Sequence, residues 1–426
     1  MGYILLLLYN LITPFIAVLY LAFFYFSPRR KLLKKLNKEI KERFSLLKYP
    51  QLKNPIWIHA ASVGEVKALF TLLNKLKNNN PGSDIIITSS TAAGREAAKK
   101  LTKFSYLLPL DFFPLMLKFI HKIKPKMLLI AETELWPNML YLSGRLNIKT
   151  FLINARLSEK SFKSYNLISP LIELILKDVN GILCQSEGDS RRYKKILGKG
   201  KPIECTGNIK YDNITAVSSK TQETQNYFKK MNWKKAKILT AGSTWRGEDK
   251  IIAKAYLFNK RTIGNLKLII APRHPETTHE TAAMLDNLGI HYIKWSDRLN
   301  AKFDRDIDCI LVDEMGWLND FYSLCDISFV GGTLVKIGGH NLLEPSLFSK
   351  PVLFGPNIKN AKEAGQTLIK FGGGFMVKTE KDLSGRIALL IKNPSILKTA
   401  SHMSKEALES LQGATDKTIK QIPILH

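Results

Sequence analysis

The feature that most constrains the fold is a regular alternation of short apolar runs with segments of helix length. In the first half, runs rich in leucine and β-branched residues occupy residues 56–60, 84–90, 106–110, 126–132 and 149–155. Stretches with helical spacing of apolar residues separate these runs. Strands that are apolar on both faces and alternate with helices predict a parallel sheet that helices cover on both sides.

The same alternation restarts in the second half. Apolar runs occur there at residues 237–243, 265–272, 308–314, 326–332 and 350–356. The polar stretch 216–236 is predicted to be an interdomain linker. Because 426 residues are too many for one ordinary core, the pattern predicts an α/β protein. It consists of two doubly wound, Rossmann-like domains, residues 49–215 and 237–400, which face a cleft. Residues 401–426 form a C-terminal helix or tail and are a candidate to pack back on the first domain.

The N-terminus predicts a membrane address. Residues 3–26 carry no charged side chain, and a helix of that length, about 36 Å, exceeds a hydrocarbon core of about 30 Å. Residues 29–43 follow with eight Lys or Arg. By the positive-inside rule, residues 1–27 are predicted to be an uncleaved anchor, with the body of the chain on the cytoplasmic side. The basic amphipathic segment 28–48 has two open interpretations: it lies on anionic headgroups, or it is a solvated linker helix.

The charge balance narrows the class of partner. With 64 Lys+Arg against 36 Asp+Glu, the formal net charge is +28, which favours a polyanionic partner: nucleic acid, an anionic membrane, or phosphorylated and carboxylated small molecules. Nucleic-acid binding is the less favoured of these classes, because the acidic and glycine-rich loops at the strand ends would have no role in it. The four cysteines are far apart and form no C-x-x-C pair, which favours buried, reduced thiols in a reducing compartment.

In the first half, the unusual residues follow strands, where ligands of parallel sheets bind. Strand 56–60 leads into Ser62, Gly64 and Glu65. Gly64 permits close approach of the backbone to a ligand. The carboxylate of Glu65 can act as a general base on an alcohol, or it can simply favour the start of a helix.

Three further charged residues of the first half occupy similar positions. Glu132 ends strand 126–132, and Arg156 follows strand 149–155. Lys210 lies in the segment that closes this half and can neutralise charge that develops in a reaction. Structural capping is the alternative interpretation for the acidic loop after strand 126–132, and a basic helix start is the alternative for Arg156.

In the second half, Ser243 and Thr244 open a helix after strand 237–241, an arrangement that suits a phosphate. Pro272 and Arg273 follow the next strand, and an arginine there can pair with phosphate or carboxylate.

The glycine-rich block 331–345 is the densest signal in the chain. It contains Gly338, Gly339 and His340, followed by a helix start that carries Glu344, and it predicts a phosphate-binding loop with a carboxylate for ribose hydroxyls. His274 and His279 are spaced unsuitably for one metal, so no metal site is predicted. The chain has no dinucleotide, P-loop or G-x-S-x-G signature.

These residues belong to a series of ordered motifs: HAASVGEV, AETELWPN, NARLSEKSFKSY, CQSEGD, GNIKYD, AGSTWRGE, APRHPE and FVGGTLVKIGGHNLLEPS. With them the sequence resembles the 3-deoxy-D-manno-octulosonic acid (Kdo) transferases of Gram-negative bacteria, glycosyltransferases of the GT-B type. The resemblance implies an inverting, metal-independent enzyme without a cofactor. It implies CMP-Kdo as donor, the lipid A precursor (a tetraacyl disaccharide bisphosphate) as acceptor, and a place on the anionic inner leaflet of the bacterial inner membrane. It implies no nucleic-acid partner.

The resemblance also implies roles for individual residues. Glu65 matches the catalytic base, while Glu132 and Lys210 match positions that stabilise the transition state. The segments that match CMP contacts comprise Pro272, Arg273, Met315, Gly316, Trp317, Asn341, Leu342, Leu343 and Glu344. Further donor contacts are expected from Ser243, Thr244, Gly338, Gly339 and His340, and acceptor or Kdo contacts from Ser62, Gly64 and Arg156.

The sequence departs from the family pattern at three positions. Glu314 and Trp317 flank the Met-Gly pair where the family usually has threonine and a small or acidic residue, and Leu342 stands where proline is common. A different GT-B transferase, or an epimerase of another nucleotide sugar, is the alternative enzyme. The motifs are compatible with one, two or more successive transfers.

Overall fold

The computed structural model describes residues 1–26, 33–198, 200–215, 220–299 and 307–424. The chain divides into two compact units, each an α/β domain built on one parallel sheet. The first unit comprises Met1–Asn213 and Gln412–His426, and the second comprises Ile214–Leu411.

The sheet of the first unit has seven parallel strands within its described residues, in the order β3-β2-β1-β4-β5-β6-β7. The strands are β1 (Ile56–His59), β2 (Ile85–Ser89), β3 (Phe104–Leu107), β4 (Met127–Ala131), β5 (Lys149–Ala155), β6 (Gly181–Cys184) and β7 (Ile203–Cys205). In the register, Ile58 lies between Ile87 and Leu129. These central side chains have no exposed surface, as expected where helices cover both faces.

Helices surround this sheet. They are α1 (Gly2–Phe26), α2 (Leu33–Arg43), α3 (Val63–Ala68), α4 (Phe70–Asn79), α5 (Ala92–Ala98), α6 (Phe113–Ile123), α7 (Pro137–Arg145), α8 (Glu159–Leu167), α9 (Ser169–Leu176) and α10 (Glu187–Leu197), with a 3-10 helix at Ile209–Asn213. The side chains of Ser62, Thr91 and Ser186 each accept a backbone N–H at the start of the helix that follows a strand. Such N-caps fix where the chain leaves the sheet.

The second unit repeats the plan, with seven parallel strands among its described residues in the order β10-β11-β9-β8-β12-β13-β14. They are β8 (Lys237–Thr244), β9 (Leu266–Pro272), β10 (Tyr292–Lys294), β11 (Cys309–Leu311), β12 (Ile327–Val330), β13 (Val352–Phe354) and β14 (Gly374–Met376). Its helices are α11 (Thr221–Lys230), α12 (Glu248–Lys260), α13 (Thr278–Asn287), α14 (Leu318–Leu324), α15 (Lys362–Phe371), α16 (Glu380–Lys392) and α17 (Pro394–Leu411). Shorter 3-10 helices lie at Pro275–Thr277, Trp295–Leu299, Pro345–Phe348 and Lys359–Ala361.

The prediction of an N-terminal membrane anchor was wrong. Within the residues that the structure describes, no helix is both long enough and apolar enough to cross a bilayer. Instead, α1 packs against its own unit: Leu6 is buried in the core beneath the sheet, the Tyr9 hydroxyl donates to Asp111 at 3.0 Å, and the Asn10 amide donates to Asn138 at 2.9 Å. The polar positions inside the apolar run therefore serve contacts within the domain. The predicted localisation to the inner membrane depended on this anchor, and it was therefore wrong as well.

Part of the basic segment predicted at 28–48 lies outside the described residues, and the remainder contains α2. At the end of α2, Glu42 is buried, and one terminal nitrogen of Arg95 donates to both of its carboxylate oxygens, at 2.8 and 2.9 Å. The same carboxylate accepts the Leu107 N–H at 2.8 Å. This buried ion pair ties the end of α2 to α5 of the same domain.

The region predicted to be a linker, residues 216–236, contains α11, which belongs to the second unit. Its Phe228 ring stacks on Phe321 of α14, and its Tyr227 ring meets Trp295 edge-on. The buried residues of α11 are Thr224, Tyr227 and Phe228, and their i, i+3, i+4 spacing gives this polar stretch one face that packs on the domain.

The C-terminal residues Gln412–His426 belong to the first unit and contain α18 (Ala414–Gln421). The carboxylate of Asp212 accepts the backbone N–H groups of Gly413 and Thr415, both at 2.6 Å. Asp212 thereby caps the first turn of α18 and places it beside the 3-10 helix that contains Lys210.

Candidate functional site

In the first unit, Glu65 is half-buried at the start of α3. Its carboxylate accepts the Ser62 hydroxyl at 2.8 Å and the Ala61 backbone N–H at 2.8 Å, and the Ser62 oxygen accepts the Glu65 N–H at 3.3 Å. This reciprocal arrangement is a variant of the capping box in which the Glu65 carboxylate accepts the N–H of Ala61 instead of that of the N-cap residue, Ser62. Because an ionised carboxylate offers about four lone-pair positions, Glu65 can cap its helix and still accept a proton.

Glu132 lies immediately after β4 in a left-handed backbone conformation, with φ +58°. Such a conformation is costly for a residue other than glycine and is concentrated at functional sites. Burial raises the pKa of the Glu132 carboxyl above its ordinary value, and four charged neighbours act on that carboxyl. Glu65 and Glu134 raise its pKa, while Arg156 and Lys210 lower it. The structure therefore brings the three predicted catalytic residues and Arg156 together.

Lys210 is exposed on the 3-10 helix after β7. Asn154, also left-handed with φ +51°, holds that helix: its buried side-chain oxygen accepts the Ile209 N–H at 3.1 Å. The Lys210 ammonium lies 5.2 Å from the centre of the Tyr211 ring. Asn154 is a positioning residue that was not among the predicted site residues, although it lies in the motif NARLSEKSFKSY.

Glu134 brings a third carboxylate to this cluster. Its Oε2 accepts the Trp136 indole N–H at 2.8 Å and lies 3.7 Å from the Nε2 of His59. His59 ends β1 with no exposed surface, and its Nδ1 is 3.0 Å from the Thr88 hydroxyl. The imidazole thus lies between the sheet and the acidic loop, a contact that joins β1 to the loop after β4.

In the second unit, β8 bulges at Ser243, where the pairing with β9 shifts register and φ is +55°. Gly331 lies against this bulge: a Cβ there would come within 2.3 Å of the Ser243 carbonyl oxygen. A larger residue at position 331 would therefore push the glycine-rich loop away from the strand.

Glu248 organises the loops of the second unit and was not among the predicted residues. This fully buried carboxylate at the start of α12 accepts four backbone N–H groups. They are those of Trp245 at 2.9 Å, Gly332 at 2.7 Å, Thr333 at 2.9 Å and Leu334 at 2.8 Å. The backbone N–H groups at the beginning of the glycine-rich loop were predicted to bind a phosphate. In the structure they bind the Glu248 carboxylate instead. The only local signal was an acidic residue three positions after Trp245.

The later part of the loop lies beside Arg273. The Trp245 indole N–H donates to Nε2 of His340 at 2.6 Å. Burial lowers the pKa of His340, and the nearby Arg273 and His274 lower it further. Burial raises the pKa of Glu344, while a hydrogen bond from Asn341 and the charge of Arg273 oppose that effect. Arg273, His340, Asn341 and Glu344 therefore form one polar cluster.

Some predicted contact residues contribute no exposed side chain. Leu342 and Leu343 have no exposed surface, and leucine at 342 fills the core where the family usually has proline. The Trp317 ring is buried between the Lys220 ammonium, 3.9 Å from its centre, and the Arg298 guanidinium, 4.5 Å from it. Its indole N–H donates to Glu314 at 2.9 Å. The two unusual residues around the Met-Gly pair thus bond to each other.

The remaining predicted contacts lie at the same ends of strands. Met315 is exposed and Gly316 has φ +88° in the loop after β11, Pro272 ends β9, and Thr244 ends β8. Gly338 and Gly339 have φ +105° and +84° in the glycine-rich loop. Within the described part of the chain, no group of three or more His, Cys, Asp or Glu side chains is placed to hold a metal ion.

A family model and known proteins of similar sequence both relate the chain to sugar transferases. The family model described as 3-Deoxy-D-manno-octulosonic-acid transferase (kdotransferase) matches residues 38–213. The chain is 33% identical over 371 residues to a 3-deoxy-D-manno-octulosonic acid transferase of Haemophilus influenzae, covering 85% of each chain. It is also 33% identical over 380 residues to a bifunctional glycosyltransferase/methyltransferase of Fusobacterium nucleatum, covering 88% of this chain but only 57% of that protein.

Among solved structures, a UDP-GlcNAc 2-epimerase from Neisseria meningitidis has a TM-score of 0.55 at 15% identity, covering 86% of this chain and 99% of that chain. This similarity confirms the predicted fold of two Rossmann-like domains, as found in GT-B proteins. At this level of identity it bears on the fold alone.

Proposed function

The chain belongs to the family of 3-deoxy-D-manno-octulosonic acid transferases and is a glycosyltransferase, and we propose that it transfers Kdo from CMP-Kdo to the lipid A precursor. The first unit supplies the groups that activate the acceptor, and the second unit binds the nucleotide donor. The observation that carries this proposal is the cluster around Glu132, where two further carboxylates and two cations act on one half-buried carboxyl.

In the proposed reaction, Glu65 takes the proton of a primary hydroxyl of the acceptor. The hydroxyl oxygen then forms a bond to the anomeric carbon of Kdo, and the bond between that carbon and the CMP phosphate oxygen breaks. CMP departs with the bonding electrons, and the anomeric configuration inverts. A general base contributes typically about 10²–10⁴-fold to such a step.

Glu132 and Lys210 stabilise the transition state in this proposal. A Kdo residue that loses CMP develops positive charge, which the Glu132 carboxylate offsets, while the Lys210 ammonium offsets the negative charge that leaves with the phosphate. Preorganised charges of this kind are effective because they need no reorganisation during the reaction. The left-handed backbone at Glu132 is the local cost of that preorganisation.

The acceptor carries phosphates, and the first unit offers cations for them. Arg156 follows β5, and Lys160 and Lys163 lie on the first turns of α8; all three are exposed. Arginine binds phosphate in a bidentate manner, and lysine acts as a point charge. We assign these residues to the phosphates of the acceptor.

In the second unit, we assign Arg273 to the anionic groups of the donor, and Asn341 and Glu344 to its ribose hydroxyls. The amides of Gly332, Thr333 and Leu334 are excluded from phosphate binding because Glu248 occupies them. The donor phosphate is therefore bound by side chains and by the bulge at Ser243, rather than by the first turn of the glycine-rich loop.

The test is incubation with CMP-Kdo and the lipid A precursor, followed by mass spectrometry of the lipid. A mass gain of one Kdo residue per transfer is expected, and the number of gains counts the additions. A parallel reaction with UDP-GlcNAc tests the alternative nucleotide sugar. No lipid product with CMP-Kdo, or conversion of UDP-GlcNAc instead, would reject the proposal.

A further inference from the structure

Trp245 and His340 form a direct side-chain pair in the second unit. The indole N–H of Trp245 donates to Nε2 of His340 at 2.6 Å, with the two rings nearly parallel at 10°. Trp245 follows β8, while His340 lies in the glycine-rich loop, 95 residues further along the chain. The contact joins the two loops that carry most of the predicted donor-binding residues.

The backbone on both sides of this pair is fixed. Oε2 of Glu248 accepts the N–H of Trp245 at 2.9 Å and the N–H of Gly332 at 2.7 Å. Gly332, with φ +70°, lies so close to the imidazole that a Cβ there would be 3.2 Å from Nε2 of His340. The approach of the indole to the imidazole is therefore built into the loops.

The hydrogen bond determines where His340 carries its proton. An indole nitrogen is only ever a donor, so its acceptor must be an unprotonated imidazole nitrogen. Nε2 is consequently bare, and a neutral His340 must carry its hydrogen on Nδ1. Protonation of both nitrogens would set two N–H groups against each other and break the bond.

The surroundings of His340 oppose a positive charge as well. The side chain is half-buried, and Arg273 and His274, at the end of β9, are the charged and titratable groups that act on it. His274 also contacts Trp245, with ring centres 5.0 Å apart at 84°. Burial, together with these neighbours, lowers the pKa of His340. The ring thus stays neutral at physiological pH.

We propose that Trp245 is a positioning residue that locks His340 in the neutral Nδ1–H tautomer. His340 then presents a fixed N–H donor beside Arg273. This inference rests on the proposed function, since the group it addresses is an anionic oxygen of the nucleotide-sugar donor. A neutral N–H donor beside a permanent guanidinium charge binds such an oxygen without itself titrating near neutral pH.

The first experiment reads the tautomer directly. Full-length protein labelled with ¹⁵N-histidine is measured by long-range ¹H–¹⁵N correlation between pH 6 and 8, without any donor. The eight histidines are distinguished with His340→Gln, which removes the signal of interest. We expect His340 to show a protonated Nδ1 and a bare Nε2 throughout. A protonated Nε2, or a doubly protonated ring at pH 6, overturns the inference.

Trp245→Phe removes the donor and keeps an aromatic ring. His340 is then expected to populate both tautomers and to titrate at higher pH than in the wild type. The matched control is Trp136→Phe, which removes an indole hydrogen bond in the other unit and leaves the His340 signals unchanged. An identical His340 spectrum in Trp245→Phe would also overturn the inference.

The second experiment connects the tautomer to the donor. A hydrogen bond to a charged group is typically worth one or two powers of ten. Because Trp245→Phe leaves part of the population in the competent tautomer, its KM for CMP-Kdo should rise by up to about tenfold, with a new dependence on pH between 6 and 8. An unchanged, pH-independent KM in an enzyme that transfers Kdo overturns the positioning role. If the wild-type protein transfers no Kdo, the proposed function is wrong. The tautomer experiment, which needs no donor, then tests the role of Trp245 independently.

Discussion

Replacing Glu248 with glutamine tests the most concentrated set of contacts in the second unit. The carboxylate is fully buried and accepts four backbone N–H groups at 2.7–2.9 Å. Its Oε2 binds the N–H groups of Trp245 and Gly332, and its Oε1 binds those of Thr333 and Leu334. Glutamine has nearly the same shape but keeps only one accepting oxygen, so two N–H groups would face an amide NH₂ that cannot accept.

The expected loss follows from that count. A buried donor left without an acceptor costs about 1–3 kcal/mol, so two such donors cost about 2–6 kcal/mol together. Glutamine is neutral, which removes the cost of burying an ionised carboxylate and offsets part of the loss. We therefore expect Glu248→Gln to lower the free energy of unfolding of the second unit by about 2–4 kcal/mol.

Urea denaturation of the full-length protein measures this change, with the wild type and Glu248→Gln compared at the same pH. Glu409→Gln is the matched control, because Glu409 is exposed and only pairs with Lys405 across 3.7 Å on the surface. The control should stay within about 0.5 kcal/mol of the wild type. A loss below about 1 kcal/mol in Glu248→Gln would show that the loop amides do not depend on this carboxylate.

Two further predictions concern buried aspartates. Burial raises the pKa of the Asp249 carboxyl to about 6, so the folded protein binds this proton more tightly than the unfolded chain, and stability falls as pH rises from about 4 to about 6. Asp249→Asn should therefore be more stable than the wild type by about 1–3 kcal/mol at pH 7.5. Urea denaturation at several pH values should show this difference shrinking towards pH 4, and a difference independent of pH would contradict the prediction. Tyr9→Phe removes the hydroxyl that donates to Asp111 and should lower the stability of the first unit by about 1–2 kcal/mol, with faster hydrogen exchange in α1. The exposed Tyr3 provides the control Tyr3→Phe, and equal exchange in the two variants would show that the Tyr9 bond does not hold the helix.

The sequence predicted the strands well because their signal is local. The apolar run 126–132 became β4, Met127–Ala131, and the run 308–314 became β11, Cys309–Leu311. A strand that is buried on both faces needs a continuous apolar run, and few other structures do. Each of the ten predicted runs overlaps a strand, so the loops at their ends were located as well, whereas β6, β7, β10 and β14 were not predicted.

Contacts between distant segments could not be predicted in this way. The amides that Glu248 binds lie 84 to 86 positions further along the chain for the glycine-rich loop, and no local pattern marks a carboxylate as their acceptor. The same holds for Trp245 and His340. Both pairs exist because β8 and β12 are neighbours in the sheet, a property of topology rather than of composition.

For the N-terminal helix, the sequence did lead to a prediction, but the prediction was wrong. Its apolar composition was sufficient to predict an anchor, but hydropathy does not reveal whether a helix face packs against its own domain. The polar side chains of Tyr9 and Asn10, which meet Asp111 and Asn138, were the available signal. Polar residues one turn or less apart in an apolar helix indicate a partner that can satisfy them.

The central claim is that Glu65 accepts the proton of the attacking hydroxyl, and the turnover of Glu65→Gln at saturating CMP-Kdo tests it most directly. Glutamine preserves size and can still cap α3, but it cannot take a proton. We predict that turnover falls by about 10²–10⁴-fold while the Kd for CMP is unchanged, and that Glu173→Gln, an exposed glutamate of α9, behaves as the wild type. Wild-type turnover in Glu65→Gln would contradict the account.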